Sequence, residues 1–471
     1  MRTVELPGRW DDARVVEQVL AWRARPGLVW LDGDGSRAGR WSWIACAPDE
    51  VVEVEAGGAP LAAWRRFDEG RELDPEGAHV PRWIGWIAYD ALWDDALDGH
   101  APRRPSRARD ATTMRFARHS WVIGVDHANG RAYVFADDEA ALERWRALDG
   151  ARESSSTTSR TSSSTTSPSV SPSTTAREHD VVASVTELHA TPAEDHRRAI
   201  EAAREAIARG ELYQVNLARR WEGRFEGEPL ALALAMRRAS PVPLGMFART
   251  NDGAVIGRSM ERFLHWDREV LETCPIKGTI ARARSGDPGA DTDTHEASAL
   301  RGDPKEHAEH AMIVDLLRND LARVARTGSV EVVDPLRVEA YAKLHHLVTT
   351  VRARTRPATT DGAELGLRDV LAATFPPGSV TGAPKVAAVE LIDALEPFDR
   401  GVYCGAYGYV TRGGHLSLAV AIRTAVIEGA RVRYFAGGGI VWPSDAEREV
   451  AETDLKARVF LDAVESLARP R

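Results

Sequence analysis

Two pairs of glutamates are spaced by three residues: Glu306 and Glu309 in KEHAEHAMIVDLLRND, and Glu449 and Glu452 in EREVAETDLKA. In a helix this spacing puts both carboxylates of a pair on one face, and Lys456, four residues after Glu452, joins that face. Two meanings are open. One is a pair of solvated helix faces with an ion pair, the commoner meaning of such spacing. The other is a Mg2+ site, because this hard cation takes carboxylate oxygens and keeps positions for water and an anionic substrate. In AGGGIV, Gly437, Gly438 and Gly439 follow one another at an apparent strand end. Glycine content alone favours a tight turn or bulge, whereas bare backbone can also approach an anion closely. Arg423, in AIRTAV on the preceding apparent strand, needs a buried acid or a carboxylate ligand to offset its burial.

Two further segments carry chemistry only in some contexts. FPPGSVTGAPK, residues 375–385, gathers prolines, glycines and small hydroxyls ahead of the helical VAAVELIDALE. That order is either an ordinary loop with a helix cap, or an anion site. In the second case free N–H groups and the positive helix end lie near Ser379, Thr381 and Gly382. In CPIKGTIARAR, Lys277 sits among apolar residues and glycine. Such a lysine is more often a surface residue in a turn, although burial can make an amine nucleophilic.

The elements that must hold these residues form two unequal parts. Residues 154–175 are almost entirely serine, threonine and proline, cannot bury apolar area, and are expected to form a disordered tether. The domains expected are residues 1–150, a linker over 151–180, and 181–471. Ahead of the tether, GLVWLD, RWSWIACA, EVVEVEA, RWIGWIAYDA, HSWVIGVD and RAYVFAD read as short strands separated by turn residues. DDARVVEQVLAWRA and DEAALERWRALD have helical periodicity. Beyond it, AEDHRRAIEAAREAIARGELY and DAEREVAETDLKARVFLDAVESLA read as helices, and GGHLSLAVAIRTAVIEG and ARVRYFAGGGIV as strands meeting at turns. Strand runs with intercalated helices predict an α+β fold of mostly antiparallel sheet, helices outside.

Composition narrows the function classes. The chain of 471 residues carries a net charge of −9 and no run of basic residues, which argues against a nucleic-acid groove. The N-terminus lacks a secretory pattern, and no apolar run approaches the ~20 residues of a membrane span. Three scattered cysteines, Cys46, Cys274 and Cys404, show no metal-ligand spacing and fit reduced, buried thiols of a cytoplasmic protein.

In order along the chain, GELYQVNL, SMERFL, PIKGT, AEHAMIVDLLRNDL, LHHLVTTV, GSVTGAPK, AIRTA, GGGIV and SDAEREVAET closely resemble the chorismate-utilising enzyme family. The resemblance is strong over about 185–465 and weaker over 28–135, and it implies an anthranilate synthase component I-like fold. It further implies that Glu309 and Glu452 hold Mg2+ with Glu306 and Glu449 behind them. By the same resemblance Arg423, Tyr403 and the backbone of Gly437, Gly438 and Gly439 grip a substrate carboxylate, completed by Lys456 and Ser379. Glu261, in SMERFL, stands where the family carries the acid that protonates the departing 4-hydroxyl, and His346, in LHHLV, where it carries a histidine near C4. Met260 replaces the family's proline before that acid, and Leu31-Asp32-Gly33-Asp34 replaces an element tied elsewhere in the family to tryptophan feedback.

Two positions choose a branch. Gln214 occupies the place of the lysine base in water-using members, and glutamine cannot deprotonate water. Lys277 stands in PIKGT where C2-aminating members usually read PIAGT. A lysine that attacks C2, followed by ammonia at C4, gives two allylic shifts and places nitrogen at C4. The resemblance therefore implies a transferase aminating chorismate at C4 on the route to 4-aminobenzoate and folate. The alternatives are anthranilate synthase component I and a non-catalytic chorismate-binding subunit. None of the cysteines sits in a Gly-x-Cys-x-Gly elbow, so ammonia is expected from a separate class I glutamine amidotransferase.

Overall fold

The computed structural model describes residues 1–55, 58–68, 77–91, 112–154, 178, 181–281, 298, 300–302, 304–340, 344–357 and 364–468. The Ser/Thr/Pro tract of 154–175 lies almost wholly outside the described residues.

Most strands are buried on both faces and rich in Val, Ile, Ala and Trp, and among the described residues the strand pairs are antiparallel. Numbered in chain order, twelve strands make the larger sheet. Its order begins β1 (Arg2–Leu6), β8 (Arg131–Ala136), β7 (Trp121–Asp126), β3 (Trp41–Ala45), β2 (Val29–Asp32) and β11 (Leu244–Arg249). It continues β12 (Gly253–Ser259), β21 (Thr424–Glu428), β22 (Arg431–Ile440), β10 (Gln214–Gly227) and β18 (Gly382–Ala383), with β9 (Ala183–Ala190) also on β10. The second sheet has ten strands. They run β15 (Ile276–Ala281), β17 (Leu344–Arg354), β14 (Val270–Cys274), β13 (Arg262–Trp266), β20 (Leu416–Val420), β19 (Ala406–Thr411), β5 (Pro81–Ile87), β6 (Thr112–Arg118) and β4 (Glu50–Glu55). β16 (Glu331–Ala340) also pairs with β17.

Both sheets draw strands from both sides of the Ser/Thr/Pro tract: β2 pairs with β11, and β5 with β19. The boundary near residue 150 divides the sequence, while hydrogen-bonded strand ladders cross it.

The sheets pack face to face through Leu31, Trp43, Ile84, Trp86, Met246, Tyr407 and Val426. Strand alternation serves both faces: in β2 and β3, Val29, Leu31, Trp43 and Ala45 point between the sheets, and Trp30 and Ile44 belong to the cluster on the other side. That outer cluster is closed by helices α1 (Asp12–Ala21), α3 (Glu139–Ser154), α5 (Pro229–Ala239) and α9 (Ala446–Ala468). A third cluster takes in α2 (Pro60–Asp68), α4 (Ala193–Ala208), α6 (Pro304–Ala322), α7 (Leu367–Thr374) and α8 (Lys385–Leu395). The expected α+β architecture, with large antiparallel sheets and helices outside, is the one observed. Among the described residues no helix is long and apolar enough to cross a membrane.

Candidate active site

The site lies where the two sheets meet. On the second sheet, β15 pairs with β17 through a bulge between Lys277 and Thr279, with Gly278 at φ +69°. Only glycine takes that conformation at little cost, so the glycine after Lys277 is what lets the strand re-aim its lysine. The Lys277 ammonium donates to Glu309 Oε2 at 2.8 Å, and both side chains are largely buried. Lys277 is thus no surface turn residue. Across the ladder, His346 Nδ1 donates to the Gly278 carbonyl at 3.2 Å. A carbonyl only accepts, so the neutral ring keeps its lone pair on Nε2. Burial, reinforced by nearby Arg423, pushes the His346 pKa down to about 4.

The larger sheet supplies the opposite wall. Gly437, Gly438 and Gly439 lie inside β22, in register with Ala218, Leu217 and Asn216 of β10. They are ladder residues, neither the turn nor the strand end that their composition suggested. β21 stops pairing at Tyr434, so no described strand covers the other edge of this glycine run. Each missing side chain leaves room for a functional group. A Cβ on Gly439 would fall 3.1 Å from Gln214 Nε2 and 3.2 Å from Lys277 Nζ. One on Gly437 would fall 2.9 Å from both Asn216 Oδ1 and the Tyr403 hydroxyl. Gln214 is 1% exposed, and neither atom of its amide has a hydrogen-bond partner. Tyr403 is itself buried, its ring stacked on Phe435 at 5.1 Å between centroids.

Two chain crossings between the sheets bring in an acid and a cation. After β12 the chain passes to β13 through Met260 and Glu261, and after β20 it returns to β21 through Ala421–Arg423. The crossings are joined by Val420 N–H to Glu261 O at 3.0 Å and Arg258 N–H to Arg423 O at 3.1 Å. Arg423 therefore sits between two strands of different sheets, at φ +50°, and not within one strand. The Ser259 hydroxyl accepts the Glu261 N–H at 3.1 Å, which fixes the start of the crossing. Burial raises the Glu261 carboxyl pKa to about 7, against hydrogen bonds from Ser379 and the Ile276 N–H and the charges of Lys277 and Lys456. Arg423 has no carboxylate partner among the described residues; it donates to Ser240 Oγ at 3.1 Å, and burial lowers its pKa.

Helices bring the remaining carboxylates. Glu309 and Glu306 lie on α6 as the spacing required, although the Glu306 side chain is outside the described residues. Glu449, Glu452 and Lys456 share α9. Lys456 pairs with Glu452 at 2.6 Å and donates to the Gly437 carbonyl at 2.8 Å, which ties the helix face to the glycine strand. A Cβ on Gly438 would fall 3.1 Å from Glu449 Oε2 and 3.7 Å from Glu452 Oε1. Ser444 Oγ donates to Glu449 Oε1 at 2.7 Å. Among the described residues no three His, Cys, Asp or Glu side chains converge on one metal position.

The 375–385 segment works differently from the sequence reading. α8 starts at Lys385, so its positive end is not at Ser379, which lies in a 3-10 turn over Gly378–Val380. The Thr381 hydroxyl is committed to the Pro377 carbonyl at 2.7 Å. A Cβ on Gly382 would meet the Gln214 carbonyl at 2.2 Å, so this glycine permits β18 to pair with β10 beside Gln214. Thr381 and Gly382 shape the wall, whereas Ser379 reaches the acid. Cys46 and Cys404 are buried, with thiol pKa values pushed up to about 12, while Cys274 is half-buried.

Two residues went unnoticed in the sequence. Asn216 is buried with Oδ1 unpartnered; its signal was its position two after Gln214, on the same strand face. His310, beside Glu309, bonds Thr349 Oγ1 on β17 at 2.6 Å and so anchors α6 to the second sheet.

The sequence pattern of chorismate binding enzymes matches residues 28–462, and the chain belongs to that family. It is 41% identical to aminodeoxychorismate synthase component 1 of Salmonella typhimurium over 257 residues, 55% of this chain and 54% of that protein. It is 39% identical to anthranilate synthase component 1 of Aquifex aeolicus over 272 residues, 58% of this chain and 53% of that one. The matched region thus spans about half the length of these relatives. Anthranilate synthase component I from Streptococcus pneumoniae superposes with a TM-score of 0.70 at 28% identity, covering 90% of this chain and 93% of that one.

Proposed function

We propose that this chain is the chorismate-aminating component of 4-amino-4-deoxychorismate synthase. The observation that carries the reading is the placement of Lys277 beside Gln214 and Gly439, close enough to Glu261 to act on its carboxyl. With its proton passed to the Glu309 carboxylate that it bonds, Lys277 attacks C2 of chorismate as both conjugated ring double bonds shift and the C4 hydroxyl leaves, taking the Glu261 proton as water. Ammonia then attacks C4, the double bonds shift back, and the Lys277 amine departs. The surplus proton on the new C4 ammonium returns to Glu261. The sum is chorismate plus ammonia giving 4-amino-4-deoxychorismate plus water.

A carboxyl with a pKa near 7 is suited to that exchange, since both of its forms are populated near neutrality. Gln214 offers an amide donor and acceptor but no base, which fits ammonia and not water as the second nucleophile. Arg423 and Lys456, with the glycine edge of β22, suit the substrate carboxylates. Glu449 and Glu452 stand beside the Gly438 cradle, and with Glu309 on α6 they are hard oxygen donors of the kind that Mg2+ takes. When bound, the ion would neutralise and orient a carboxylate of chorismate. Ammonia would come from a glutaminase partner, and the product would feed 4-aminobenzoate and folate synthesis.

The test is incubation with chorismate, Mg2+ and a high concentration of ammonium salt, with products separated chromatographically. The reading expects 4-amino-4-deoxychorismate, converted to 4-aminobenzoate only when a 4-amino-4-deoxychorismate lyase is added. Anthranilate fluorescence in the absence of lyase would instead assign the anthranilate synthase activity for which the Aquifex relative is named.

A further inference from the structure

A buried ion pair just beyond α8 takes no part in this chemistry, yet its hydrogen bonds run to the walls of the site. Glu396 and Arg400 have side chains 3% and 2% exposed. Arg400 Nε donates to Glu396 Oε2 at 2.9 Å and Nη2 to Glu396 Oε1 at 2.7 Å. The remaining donors leave the pair: Nη1 reaches the Val380 carbonyl at 2.9 Å, and Nη2 the Asn216 carbonyl at 2.7 Å. Glu396 Oε1 also accepts the Ala218 N–H at 2.8 Å. Tyr89 and Tyr403 enclose the guanidinium, at 4.7 and 5.9 Å from their ring centroids. One planar group thus spans the turn that carries Ser379, the strand that carries Gln214 and Asn216, and the ring of Tyr403.

A buried pair is weak grounds for a role in stability, because apolar residues of similar volume often serve as well. Its geometry is harder to replace. A guanidinium presents a fixed fork of donors, whereas an ammonium is a point donor on a flexible stem. Glu396 and Arg400 are therefore suited to hold two backbone carbonyls at a set separation.

We propose that Arg400 is a positioning residue for the reaction: by clamping Val380 to Asn216 it holds the turn of Ser379 against the strand that carries Gln214 and Asn216. The role rests on the proposed reaction, in which that turn and that strand wall the site.

Arg400→Lys keeps the charge but not the fork. In this variant, amide hydrogen exchange over residues 378–383 should quicken more than tenfold with α8 little changed. Turnover should fall roughly tenfold, the order expected for one lost charged hydrogen bond, with the chorismate KM within threefold. If Arg400→Lys fails to fold, Arg400→Met with Glu396→Leu removes the clamp without leaving a buried charge, and the same readouts apply. A folded variant whose loop exchange and turnover match wild type would overturn the proposal. The exchange experiment needs no turnover, so an inactive wild-type protein would refute the reaction while leaving the clamp to be judged on exchange.

Discussion

Replacing Glu261 with glutamine should make the protein more stable at alkaline pH while stopping its chemistry. Glutamine has the size of the protonated acid and never ionises. In the folded chain the Glu261 carboxyl titrates at about 7 against an ordinary 4.5. That rise corresponds to about 3 kcal/mol in favour of the neutral form, because each tenfold change in proton affinity is worth ~1.4 kcal/mol. The folded state holds this proton more tightly than the unfolded chain does. The favourable term is therefore complete below about 4.5 and is lost as pH rises through about 7. Thermal unfolding of both proteins at pH 5, 6, 7, 8 and 9 reads the effect directly. The stability gained by Glu261→Gln should grow from pH 5 to 8 and then level off, while turnover with ammonium falls by roughly 100- to 10,000-fold, the usual worth of a general acid. Parallel unfolding curves at every pH would show that burial does not raise this carboxyl. Wild-type turnover would remove it from the proton path.

Three further substitutions probe the geometry. Gly278→Ala places a side chain at φ +69°, at a cost of about 1 kcal/mol; with Lys277 re-aimed, turnover should drop at least tenfold in a protein that still unfolds cooperatively, and unchanged kinetics would show that the bulge is dispensable. Arg423→Ala should raise the chorismate dissociation constant by roughly tenfold to a hundredfold, as for a lost charged hydrogen bond, and equilibrium dialysis giving wild-type binding would place the substrate carboxylate elsewhere. Glu452→Gln should weaken Mg2+ binding, measured by calorimetry without substrate, and unaltered affinity would move the metal site off α9.

Local spacing made the helical parts of the site legible. Glu309, Glu449, Glu452 and Lys456 fall on the helices and faces that three- and four-residue intervals require, because side-chain direction in a helix is set by position alone. The crossings were not legible. LSLAVAIRTAVIE is apolar on both sides of Arg423, and the sequence cannot show that the chain changes sheets there, turning at φ +50°. The three glycines of β22 likewise read as punctuation. Their actual use, clearing space in a ladder for Lys277, Gln214 and the α9 carboxylates, depends on partners more than a hundred residues away or on another element. The role of the Ser379 turn shifted for the same reason: its neighbour is Glu261, not the end of α8. The sheet that unites β2 with β11 was hidden by the intervening tract, which separates the strands in sequence but not in space.

The claim that Lys277 is a nucleophile is tested most directly by mass spectrometry of the intact protein after chorismate and Mg2+ are added without ammonia. The account predicts an adduct heavier by chorismate less one water, mapped to Lys277 by peptide sequencing, absent from Lys277→Ala, and discharged by ammonium as 4-amino-4-deoxychorismate. A wild-type protein that turns over chorismate and ammonium to that product, yet carries no such adduct even when quenched within one turnover, would contradict it.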